Sequence, residues 1–120
     1  MGSIDHVTVR VSDFAASRAF YETVLAPLGL ADPYLGSGFI EWGDFSIAEA
    51  GLGGAVTRDL HIAFVAASRE QVDAFHRSAM AAGYRDNGSP GERSEYHVGY
   101  YAAYIVDPDG NNVEAVLHDR

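Results

Sequence analysis

Residues 4–11 read Ile-Asp-His-Val-Thr-Val-Arg-Val, with Val7, Val9 and Val11 on one side and His6, Thr8 and Arg10 on the other. That period of two marks a half-buried strand. The period then lengthens. Ser12 or Asp13 offers a helix N-cap, and Phe14, Tyr21, Val24, Leu25 and Leu28 recur at helical spacing. Pro27 frays or bends the end of this helix, and Gly29 terminates it. Strand-like pieces over 39–42 and 45–50 flank a tight turn at Gly43-Asp44, and the glycine-rich run 51–57 reads as a loop. A strand from His61 to Val65 leads to Ser68-Arg69-Glu70-Gln71, a capping box. The helix it opens carries Val72, Phe75, Ala79 and Ala82 inward and stops at Gly83. Residues 87–95 have loop composition, and strands over 99–106 and 112–118 flank the turn Asp107-Pro108-Asp109-Gly110.

The elements recur in the same order, and so do some residues. An offset of 55 sets His6-Val7 over His61-Ile62 and Ala19-Phe20 over Ala74-Phe75. An offset of 54 sets residues 29–32 over 83–86, and one of 65 sets 44–50 over 109–115. A longer loop before Gly99 takes up the difference. One domain over 1–120 is therefore expected, made of repeats at about 4–50 and 58–118, packed about a pseudo-twofold axis. Under these offsets His6 pairs with His61, and Glu49 with Glu114.

Composition narrows the function. A chain of 120 residues, 48% hydrophobic and 21% charged, supports one core and is neither a disordered tail nor a coiled-coil rod. Eight basic against seventeen acidic residues give a net charge of −9, which argues against nucleic acid or an anionic membrane as partner. With no cysteine, disulfides, thiolate metal sites and cysteine nucleophiles are excluded. No apolar run approaches the roughly 20 residues of a membrane span, and no signal-like start is visible, so a cytoplasmic location is expected.

Candidate chemistry lies at the repeat-related positions. His6 and His61 open equivalent strands, and Glu114 follows the turn on the face opposite Val113. A charge on an inward strand face is costly unless paired or bound to metal. Two imidazoles with one or two carboxylates and no thiolate suit a divalent Fe, Mn, Ni, Co or Zn ion. Glu49, near a strand end, is the weaker fourth candidate. His76, beside Phe75, is expected at the surface, and His118 receives no role. Tyr96, Tyr100, Tyr101 and Tyr104 read as core or rim, with alternation sending some toward the ligand side.

The pattern IDHV…FY…VL…LGL, then HIAF, then YIVDPDGNNVEAV resembles the vicinal oxygen chelate superfamily of glyoxalase I, extradiol dioxygenases, and fosfomycin- and bleomycin-resistance proteins. The resemblance spans essentially the whole chain. It implies an α+β fold of two βαβββ repeats forming a curved mixed-sheet cleft around one divalent metal, with His6, His61 and Glu114 as ligands. Glu49 matches the position of a fourth, glutamate ligand of glyoxalase I. Arg10 sits at a position resembling the substrate-carboxylate arginine of some glyoxalases, and Tyr101 and His97 are further candidate substrate contacts. By the same similarity Glu114, with Glu49, is the candidate catalytic carboxylate. A glyoxalase-like lyase or isomerase acting on a small molecule with vicinal oxygens is the leading expectation. An extradiol-type Fe(II) dioxygenase and a non-catalytic antibiotic-binding protein are the alternatives. A homodimer is expected, with sites built within each chain or shared between two.

Overall fold

In the computed structural model, which describes residues 2–119, the valine alternation becomes strand β1 (Val7–Val11). Met1 and Arg120, the ends of the expected domain, lie outside the described residues. Asp13 caps helix α1 (Phe14–Leu25), its side chain accepting from the Ala16 N–H at 3.1 Å. Pro27 sits in a 3₁₀ turn over Ala26–Leu28, and Gly29 ends it at φ 83°, where a side chain would be strained. Strands β2 (Tyr34–Gly36), β3 (Phe39–Trp42) and β4 (Phe45–Glu49) complete the first half. The second half runs β5 (His61–Val65), α2 (Arg69–Ala81), β6 (Arg85–Glu92), β7 (Tyr100–Val106) and β8 (Asn112–His118). Ser68 caps α2 by accepting from the Gln71 N–H, while the Gln71 side chain reaches back to the Ala67 N–H.

The halves share one topology. Their sheets are ordered β1-β4-β3-β2 and β5-β8-β7-β6, with the first pair of each parallel and the others antiparallel. Each sheet turns its apolar face to the helices. Phe20, Tyr21, Val24 and Leu25 of α1 and Val72, Phe75 and Ala79 of α2 join Ile47, Ile105 and Val113 in one continuous core. Edge-to-face contacts of Phe45 on Phe64 and Phe20 on Tyr84 tie the halves together.

The Asp107–Asn111 turn is the strongest polar joint. Buried Asp107 accepts from the Tyr21 hydroxyl at 2.6 Å, from the N–H groups of Asp109 and Asn111, and from the Asn111 side chain. Asp109 accepts from the Ser12 N–H and hydroxyl. Asn111 donates to the Thr57 carbonyl and accepts from the Leu60 N–H. This segment therefore fastens the end of β7 to the start of α1 and to the connection between the halves.

Four local expectations are corrected. Residues 87–95 are not simply a loop, because β6 pairs with β7 through backbone bonds despite Gly88, Pro90 and Gly91, with register shifts around Gly88. The exposed strand β2 also escaped the sequence pattern, since Tyr34 and Leu35 have no buried face to alternate with. Ala82 is the exposed C-cap of α2 rather than an inward residue. His76 is buried, not at the surface, and its Nε2 lies 2.8 Å from Asp86 Oδ1.

Candidate functional site

Glu114 lies in β8 between Val113 and Ala115, which point into the core, so alternation turns it to the face away from α2. It is nonetheless 1% exposed. His61 Nε2 approaches its Oε1 at 2.6 Å, and the Tyr100 hydroxyl donates to its Oε2. Tyr104, paired with Glu114 in register, places its ring 6.2 Å from the His61 ring. Burial, and then the bond to Glu114, pushes the Tyr100 phenol well above its usual range; burial and the charge of Glu114 also raise Tyr104. Both phenols thus stay protonated at neutral pH.

His97 stands beside this group. Its Nε2 is 2.9 Å from His118 Nδ1, and Tyr100 presents its ring edge-on to both imidazoles. Tyr101 takes the opposite face. Its hydroxyl donates to Asp73 of α2 at 2.6 Å and its ring lies under Arg69, so it braces the helix and does not meet Glu114.

The first half presents a separate open cleft of about 460 Å³ lined by His6, Thr8, Arg10, Glu41, Ser46 and Glu49, among others. His6 just precedes β1, is largely exposed, and bonds Asp5 through Nδ1 at 2.7 Å, which raises its pKa. Sheet register corrects the expected pairing of the two glutamates. Ala63 faces Glu114, and Thr8, the repeat partner of Ala63, faces Ser46. Glu114 therefore corresponds to Ser46, and Glu49 to Leu117. Glu49 is exposed at the end of β4 with the parity of core residues Phe45 and Ile47.

His61 and Glu114 are therefore brought together, while His6, Arg10 and Glu49 line the other cleft. Among the described residues, no three His, Cys, Asp or Glu side chains gather as a metal site. In chemistry the donors fit a divalent borderline cation: Glu114 is a buried carboxylate already met by an imidazole nitrogen. In geometry the candidate ligands that one chain brings together are His61 and Glu114. Sequence reasoning missed Glu41, and of the four tyrosines it expected to send some members to the ligand side it did not single out Tyr100 and Tyr104. Hairpin counting across the 107–110 turn sets 104 opposite 114 and 100 opposite 118, and that signal could have found the two tyrosines.

Residues 32–115 match the Glyoxalase/Bleomycin resistance protein/Dioxygenase superfamily. A glyoxalase/bleomycin resistance protein from Albidiferax ferrireducens T118 is similar in structure at TM-score 0.83 and 31% identity, covering 98% of this chain and 100% of that one. The chain belongs to this superfamily. Its fold is also similar to that of a lactoylglutathione lyase from Agrobacterium tumefaciens (TM-score 0.70, 21% identity, 98% and 94% covered). Oxidase ChaP-H2 is similar at TM-score 0.68 and 25% identity, with 98% and 94% covered. No curated protein matches the chain. Among the described residues no helix is long and apolar enough to cross a membrane.

Proposed function

We propose that the chain is a metal-dependent enzyme of lyase or isomerase type, acting on a small molecule with two adjacent oxygens. Two copies of the chain complete its metal site, the His6 side of one meeting the His61–Glu114 side of the other. The observation that carries this is Glu114, a fully buried carboxylate on the face turned from the helix, held by His61 and Tyr100. A divalent ion on His6, His61 and Glu114 would polarise a carbonyl or hydroxyl oxygen as a Lewis acid. The chain's own groups do the rest. Glu114 takes up a proton at a carboxylate oxygen, and Tyr100, kept protonated, holds the other oxygen in place. Arg10, in the His6 cleft, offers a positive charge to the substrate's far end.

One observation favours a second reading. With Ser46, rather than the expected fourth ligand Glu49, at the repeat position of Glu114, two histidines and one carboxylate leave room for substrate and dioxygen together, the donor set of non-haem Fe(II) oxygenases. The test is turnover of the metal-reconstituted protein on α-ketoaldehyde–thiol adducts without oxygen and on catechols with it. Anaerobic turnover with Ni, Co or Zn, lost in His6→Ala, His61→Ala and Glu114→Gln, is expected. Activity confined to Fe(II) with oxygen rejects the lyase for the second reading. Tight stoichiometric binding without any product would make the chain a binding protein.

A further inference from the structure

Arg93 lies over a tyrosine ring, as Arg69 does, but unlike Arg69 it meets no carboxylate among the described residues. Its guanidinium carbon lies 5.3 Å from the centre of the Tyr104 ring, and its Nη2 donates to the Ser89 carbonyl at 2.8 Å. Two glycines of β6 make room for it. A Cβ on Gly91 would stand 3.0 Å from Arg93 Nη1; one on Gly88 would stand 3.4 Å from Nη2 and 2.8 Å from the Tyr104 ring. Gly88 also adopts φ 153°, which few side chains tolerate. Gly88 thus clears the Tyr104 ring, and Gly91 leaves space beside the Arg93 guanidinium.

That cation has no carboxylate partner among the described residues, although Arg18, Arg58 and Arg69 each have one. Arg10, Arg77 and Arg85 also lack one but are exposed, whereas Arg93 is half-buried. Seventeen acidic residues were available. Tyr104 meanwhile touches both neighbourhoods: Arg93 lies over it, and His61, bonded to Glu114, lies 6.2 Å from its ring centre. We infer that Arg93 binds the carboxylate of an organic-acid substrate whose reacting oxygens sit at His61 and Glu114 and whose body lies along Tyr104. The inference rests on the site proposed above and adds the substrate's charge. A guanidinium fork matches a carboxylate with two parallel hydrogen bonds. Because the whole chain repels anions, a preference for the acid has to come from a local group.

The test is calorimetric titration of the purified full chain with 3,4-dihydroxyphenylacetate and with 4-methylcatechol. These share a ring and vicinal oxygens and differ in the carboxylate. The acid is expected to bind about tenfold tighter, the scale of one charge-assisted pair. Arg93→Gln should erase that preference and leave the neutral compound unchanged, and Arg93→Lys should keep part of it. A purely bracing role for Arg93 would weaken both probes alike. Equal binding of the two by the unaltered chain, or a preference that survives Arg93→Gln, overturns the assignment. Glu114→Gln separates the two claims. If it leaves both affinities unchanged while Arg93→Gln still erases the preference, Arg93 stands and the placement of the reacting oxygens fails. If it weakens both and the preference persists, both stand.

Discussion

The two halves agree on one face of each sheet and part company on the other. Toward the helices, Phe45 and Ile47 of β4 correspond by register to Val113 and Ala115 of β8, and all four are buried. On the opposite face the second half sets Ala63 beside Glu114, with Tyr104 across from it. The first half sets Thr8 beside Ser46, with their hydroxyls 2.9 Å apart, and Glu41 across from Ser46. Close packing constrains what the inner faces can hold, because a change of one methylene is felt there. Outer faces carry no such constraint. In this chain the second half carries the buried carboxylate and its phenols, and the first half a neutral hydroxyl pair and an exposed imidazole.

The largest effect is expected at the joint that makes the halves one unit. Asp107→Ala would strand the Tyr21 hydroxyl and two backbone N–H groups and take one of its two acceptors from the Asn111 amide nitrogen. A loss of about 3–5 kcal/mol in a denaturant titration is expected. Tyr21→Phe is milder, about 1–2 kcal/mol, and it carries a pH signature. Burial and the charges of Asp107 and Asp109 hold the Tyr21 pKa far above its ordinary 10.0. A raised folded pKa gives stability that is complete below pH 10 and falls as the unfolded chain ionises above it. The alkaline loss of stability should therefore shrink in Tyr21→Phe, and an unchanged alkaline limb would place that loss elsewhere.

Next in size is an exchange between the two outer faces. Glu114→Gln should lower metal affinity by at least the roughly 10–100-fold that losing even an outer partner of a ligand costs, as read by metal content after dialysis. Ser46→Glu puts a carboxylate at the matching place in the first half, where Ser46 is buried against Thr8. The counterpart of His61, His6, is bonded to Asp5, and Glu41 stands across from Ser46, so a cost of about 1–3 kcal/mol is expected. If Ser46→Glu instead raises both metal affinity and melting temperature, the two faces are functionally interchangeable.

What the sequence made legible follows the same division. Strand β5, the end of β8 and both helix caps were readable, because alternation and caps are local signals, and the inward residues of β1, α1 and α2 repeat visibly. Strand β6 was not, since its pairing with β7 is made by backbone groups and its side chains are mostly Gly, Pro and short polar residues. The site was half legible. His61 and Glu114 stood out by position, but Tyr101 was favoured over its neighbour Tyr100 because a strand's parity is set by the register across a turn. His6 and His61 do not gather with Glu114 into one cluster in a single chain, and no linear pattern reveals whether ligands come from one copy or two.

The smallest expected effect decides between the two ways of aligning the repeat. Letter matching lays Glu49 over Glu114; strand pairing lays Ser46 there and moves Glu49 to the position of Leu117. Glu49 is exposed, at the end of its strand, and its backbone N–H bonds Gly38 at 2.9 Å whatever side chain follows. Glu49→Gln removes a solvated charge and keeps the shape, so stability should stay within about 0.5 kcal/mol and metal content should match the unaltered chain. Glu41→Gln is the contrast, because Glu41 lines the His6 cleft and its charge contributes to raising the His6 pKa. A loss of metal in Glu49→Gln comparable to that in Glu114→Gln would mean that the strand end swings into the site when a second copy docks. The chain would then have four ligands, and Lewis-acid chemistry would be favoured over oxygen activation. Unchanged metal content leaves two histidines and one carboxylate, and makes the oxygen dependence of turnover the deciding measurement.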